Sequence, residues 1–140
     1  VTWRTLLLVE EAGHDASGRA VWELQRPLWF ESDQYGDIVV PVTFRTNYAS
    51  VPRAPFVFWL AGERSYKEAA LHDWLYTVHS LTREQADDVF LEALLLNPLI
   101  PAGLAHTMHR GVRWFGQSSW EDTTNILQPP EIRAQIGAPV

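Results

Sequence analysis

A chain of 140 residues is the size of one domain, and a hydrophobic share of 46% with seven Trp is ample for one packed core. The absence of Cys excludes disulfides, thiolate zinc sites and a cysteine nucleophile. Eleven basic against seventeen acidic residues leave a formal charge of −6, which argues against a general nucleic-acid binder, because neutralising phosphates requires a basic face.

The first half has strand patterning. Residues 5–11 are β-capable, residues 13–18 (GHDASG) form a turn cluster, and residues 19–26 alternate, so a β-hairpin is expected. The apolar stretch at 6–9 runs into Glu10 and Glu11 and is too short for a signal peptide. No apolar run approaches the ~20 residues of a membrane-spanning helix. A second turn at 32–37 leads into an expected strand over 38–44, whose Pro41 suggests an edge or a bulge. Residues 47–55 are irregular, and the apolar run from Phe56 to Leu60 (FVFWL) suits either a short core helix or a docking patch.

The second half has helical patterning. Ser65 with Glu68 matches a capping box and opens a helix to about Ser80, with Leu71, Leu75 and Val78 as its core stripe. Thr82 with Gln85 is a second capping box, opening a helix with Ala86, Val89, Phe90, Ala93 and Leu94 on one face and ending near Asn97-Pro98. A third helix is expected over 101–115, with Leu104, Met108 and Val112 inward and Gly116 as its stop. Residues 117–140 lack a helical or alternating pattern but carry Trp120, Ile126, Leu127 and Ile136, which suits an extended tail that packs on its own domain or on a neighbour. The expected organisation is therefore a single α+β domain over 1–116. It has N-terminal antiparallel strands, then three helices that include an antiparallel hairpin, followed by the C-terminal tail 117–140.

The hairpin carries the chemistry. Its short link makes the first two helices antiparallel neighbours, and at ~1.5 Å per residue His72 and Asp87 fall within about one turn of the same level. A His–carboxylate bond there fixes an imidazole tautomer and raises its basicity, as a general base needs. Tyr76, four residues on from His72, shares its face, while Asp73 points about 100° away as a metal ligand or a surface charge. A buried His–Asp bridge is equally an ordinary way to satisfy polar groups in a core. His106 and His109 share a helical face, but with Arg110 and Arg113 beside them a solvated polar face is the better reading. Ser50 is a nucleophile only if a base reaches it.

Three motifs, Val40-Pro41 followed by residues 46–53 (TNYASVPR), His72-Asp-Trp-Leu-Tyr76 and Ala86-Asp87-Asp-Val-Phe90, resemble the phage-associated domain-of-unknown-function family 1353. The resemblance covers about residues 38–116 and implies a tailed-phage or prophage source. Two positions depart from the family's pattern: Thr43 stands for its Gly, and Asn47 for its Asp. The hairpin alone is also similar to the secreted phospholipase A-two site. That likeness implies His72 as the base, Asp87 as its orienter and Asp73 as a calcium ligand, although that family's glycine-rich calcium loop has no counterpart here.

Two functional expectations follow. The first is a structural component of a phage virion or its assembly, in the tail or head–tail region, contacting other virion proteins or itself through the tail and the Phe56–Leu60 run. It would be found in the virion or the host cytoplasm, with the His/Asp site vestigial. The second is a metal-dependent hydrolase, phospholipase-like or degrading the cell envelope. In it His72, Asp87 and Tyr76 are catalytic, and Asp73 and Asn47 hold Ca2+ or Zn2+.

Overall fold

The computed structural model describes residues 1–50, 64–122 and 126–136. Its strands form two antiparallel sheets. One contains β1 (Thr2–Trp3), β4 (Leu28–Ser32) and β5 (Gly36–Val40), in the order β1-β4-β5. The other contains β2 (Val9–His14), β3 (Ala20–Leu24) and β6 (Arg45–Thr46), in the order β2-β3-β6. The helices are α1 (Tyr66–Val78), α2 (Arg83–Leu96), α3 (Ala102–Phe115), α4 (Gln117–Glu121) and α5 (Pro130–Arg133). The architecture is α+β, strands first and helices after, with the expected β2–β3 hairpin around the GHDASG turn.

The strand expected over 38–44 is divided. Proline has no N–H for a ladder, and β5 stops at Val40, just before Pro41. Thr43 then takes a φ of 72°, and its N–H bonds the Leu24 carbonyl at 2.8 Å. The chain thereby crosses to the other sheet, where β6 pairs with β3 in the register Trp22–Thr46 and Glu23–Arg45. This switch aims the segment after Thr46 at the helices. The Phe56–Leu60 run lies outside the described residues.

Helix α1 is the central element, for all nine residues from Glu68 to Tyr76 are buried, far more than one stripe. The Ser65–Glu68 capping box is not formed. Ser65 makes no side-chain cap, and Glu68 is drawn into the interior, where Asn97 Nδ2 donates to its Oε1 at 3.1 Å. The helix ends at His79, whose φ of 55° is left-handed and whose N–H returns to the Leu75 carbonyl. The second capping box is formed. Thr82 Oγ1 accepts from Gln85 N at 3.2 Å, and Gln85 Oε1 accepts from Thr82 N at 3.0 Å. Helix α2 buries Ala86, Asp87, Val89, Phe90, Ala93 and Leu94, and α3 contributes Ala105, Met108 and Val112. Leu104 packs at the margin of this core. Among the described residues, no helix is long and apolar enough to cross a membrane.

The tail contains helices too short to show periodicity, and it packs on its own domain. Gln128 completes the edge of β6, its Oε1 accepting from Arg45 N at 3.0 Å and its Nε2 donating to the Arg45 carbonyl at 2.8 Å. Ile132 is fully buried. Gly116 joins α3 to α4 at a close approach: a Cβ there would lie 2.4 Å from the Val112 carbonyl oxygen and 2.5 Å from the Tyr76 hydroxyl. Gly116→Ala is expected to lower stability by about 1–3 kcal/mol, measured by urea unfolding. An unchanged midpoint would mean that the junction has room to give.

Candidate functional site

The site grows from one buried charge. Asp87, in the first turns of α2, is fully buried opposite the equally buried His72 of α1, with His72 Nε2 2.7 Å from Asp87 Oδ1. Tyr76 donates its hydroxyl to the same oxygen at 2.6 Å. Arg113, from the last turn of α3, donates to Oδ2 at 2.7 Å. Burial pushes the Asp87 carboxyl up, but the bonds from His72, Tyr76 and Arg113 outweigh it and hold the group below its ordinary range. Burial and the bond to Asp87 push the Tyr76 hydroxyl up, so it stays a donor.

An ionised Asp87 only accepts, so His72 carries its proton on Nε2 and presents a lone pair at Nδ1. In that neutral tautomer Nδ1 faces Ser50, whose Oγ lies 2.8 Å away in position to donate to it. The result is a hydrogen-bonded series Ser50–His72–Asp87, with serine and carboxylate on the opposite ring nitrogens from the familiar serine-protease arrangement. The imidazole lies against the rings of Tyr76 and Phe90, at centroid distances of 4.1 and 4.7 Å, which hold its plane.

Ser50 arrives on the loop that leaves β6, and Asp73 fixes that loop. Asp73 Oδ1 accepts from the Ser50 amide at 2.9 Å, and Oδ2 accepts from the Thr46 hydroxyl. Thr46 Oγ1 in turn accepts from Tyr48 N at 3.0 Å. Asn47 Oδ1 accepts from Ala49 N at 2.9 Å, and its Nδ2 donates to Asp15 Oδ2 at 2.6 Å. Burial raises the Asp15 carboxyl, yet bonds from Ser17, Asn47 and the Arg19 and Ser17 amides together outweigh it and bring the group down to about 2. A cleft of about 250 Å³ opens beside Ser50, walled by the loop, by Asp73 and Thr77 of α1, by Ser118 and Ser119 of α4, and by Gln128 of the tail.

His72, Asp87 and Tyr76, singled out from sequence, thus meet in one hydrogen-bonded cluster. Asp73 and Asn47, the candidate metal ligands, line the cleft, but their oxygens already accept the bonds just described. Among the described residues no three His, Asp or Glu side chains gather as a metal site. Asp73 is buried and is not a surface charge. Arg113 does not belong to a solvated face, since it reaches into Asp87. His106 is exposed, and His109 Nε2 lies 3.3 Å from Asp88. Sequence reasoning missed Arg113 and Asp15, and it named Ser50 only conditionally. The Asp-x-Ser-Gly of the turn signals a local Asx turn, but nothing local signals that Asp15 reaches Asn47.

Because its folded pKa is lowered, Asp87 adds stability above the unfolded value of about 3.9, and this is lost as pH falls through the folded value. Asp87→Asn is therefore expected to cost about 2–4 kcal/mol at pH 7, with the deficit shrinking below about pH 4. Chemical unfolding across pH 3–7 would measure it, and a deficit independent of pH would contradict the ionised assignment.

No match was found among curated proteins or among solved structures. A family model described as "Protein of unknown function (DUF1353)" matches residues 22–112, a span running from β3 into α3 that holds Ser50, His72 and Asp87. The match covers well over half of the chain, and the protein belongs to this family, DUF1353.

Proposed function

We propose that the protein is a serine hydrolase of ester or amide bonds. The observation that carries this reading is the pair of contacts on His72, 2.8 Å to Ser50 and 2.7 Å to Asp87. Ser50 Oγ attacks the substrate carbonyl as its proton passes to His72 Nδ1, forming a tetrahedral intermediate. The imidazolium is stabilised through Nε2–H by Asp87, which stays ionised. Collapse of the intermediate breaks the bond to the alcohol or amine, which leaves with the proton from Nδ1. Water then repeats the sequence on the acyl-serine and regenerates Ser50. Asp73 positions the nucleophile by holding its amide. That amide is therefore engaged and is not a free donor for the oxyanion.

Ser50→Ala is expected to lower kcat/KM for 4-nitrophenyl acetate by at least about a thousandfold, with the fold retained by circular dichroism. Equal hydrolysis by wild type and variant would sink the reading.

A second reading, as a structural component of a phage virion, is favoured by the exposure of two adjacent large apolar residues at the end of α3, Trp114 (72%) and Phe115 (65%), which suits a subunit contact. The hydrogen-bonded series would then brace the hairpin. Mass spectrometry of purified particles tests it, and absence of the protein from them would count against it.

A further inference from the structure

The geometry points to the substrate class of the cleft at Ser50: small, hydroxyl-rich acyl compounds such as acylated sugars, not long-chain lipid esters. The inference rests on the hydrolase reading. The cleft, at about 250 Å³, is smaller than the roughly 300 Å³ at which pockets for drug-sized ligands begin.

Its wall sets polar side chains beside the apolar surface of Ala49 and Ile126, and, the Ser118 hydroxyl apart, the donors named below are committed inward. Thr77 Oγ1 donates to the Asp73 carbonyl at 2.8 Å, Ser119 Oγ to the Ala49 carbonyl at 3.3 Å, and Tyr76 to Asp87 at 2.6 Å. Asn47 Nδ2 donates to Asp15 at 2.6 Å, and Gln128 Nε2 to the Arg45 carbonyl at 2.8 Å. What these groups still offer is chiefly lone pairs, on the Thr77 and Ser119 hydroxyls and on the Asp73 carboxylate. A ligand rich in O–H donors matches that surface. An alkyl chain would cover the same oxygens and leave their remaining lone pairs unfilled, at a cost for each.

The molecule also has a contrasting cleft of about 390 Å³, lined by Leu7, Val9, Trp22, Tyr48 and Tyr66, which shares Asn47 with the first. An alkyl chain would be at home there.

The test is competition against hydrolysis of 4-nitrophenyl acetate by the full chain, with N-acetylglucosamine and 1-hexanol as the two probes. The expected result is competitive inhibition by the sugar with an inhibition constant at least tenfold below that of hexanol. Thr77→Val combined with Ser119→Ala should raise the sugar's constant at least about fivefold while leaving that of hexanol in place. Hexanol competing as well as the sugar would overturn the inference, move the acyl group to the apolar cleft and leave the hydrolase reading standing. If hydrolysis does not depend on Ser50, the hydrolase reading falls and this inference falls with it.

Discussion

A carboxylate at zero exposure is the constraint around which this molecule is arranged. An ionised group removed from water costs several kcal/mol unless donors surround it, and Asp87 draws them from three helices: His72 and Tyr76 on α1, Arg113 on α3, with the Arg83 guanidinium 3.7 Å away on its own helix. Each donor fixes a packing relation. His72 and Tyr76 set the register of α1 on α2, and Arg113 sets the end of α3 against the start of α2. Arg83 reinforces that joint, donating to the carbonyls of Val112 and Arg113 at 3.0 Å each, where the dipole of α3 favours a cation.

The sheet contributes through one loop. Because β5 stops before a proline and β6 pairs in the other sheet, the segment after Thr46 is carried across the face of α1. Asp73 receives it with both oxygens. The neighbours His72 and Asp73 therefore divide the work, one addressing the serine hydroxyl and the other the serine amide. On the far side of the cleft, Trp120 of α4 stacks on His79 at 3.6 Å and sets its edge on Tyr76, so the wall and the hydrogen-bonded series share a ring.

Some of this was legible in the sequence and some was not, for physical reasons. The helical hairpin was legible because a capping box, a short link and two apolar faces are local signals, and they fix the level of His72 against Asp87 by rise per residue alone. The β2–β3 hairpin was legible from its turn. The role of Ser50 was not, because it depends on a sheet switch at Pro41 whose partner strand lies about twenty residues earlier. Helix-face arithmetic places Arg113 toward solvent because it locates only a Cα, whereas the long side chain bends back to a buried acid. The capping-box motif places Glu68 at a cap because it carries no information about what lies above the first turn. The tail helices, of five and four residues, are shorter than the window in which periodicity can be seen.

The distances along the chain between bonded partners carry a consequence for how the molecule assembles. His72 and Asp87 are 15 residues apart, Ser50 and His72 are 22, Asp15 and Asn47 are 32, and Arg45 and Gln128 are 83. Loop-closure entropy favours the short separations first, so His72 and Asp87 can meet while the hairpin is forming. By the same entropy the strand loop is favoured to dock onto that pair once it is in place, and the tail to close over it later. On this order the imidazole is oriented before Ser50 arrives, and the outer wall of the cleft is the last part of the chain to be tied down.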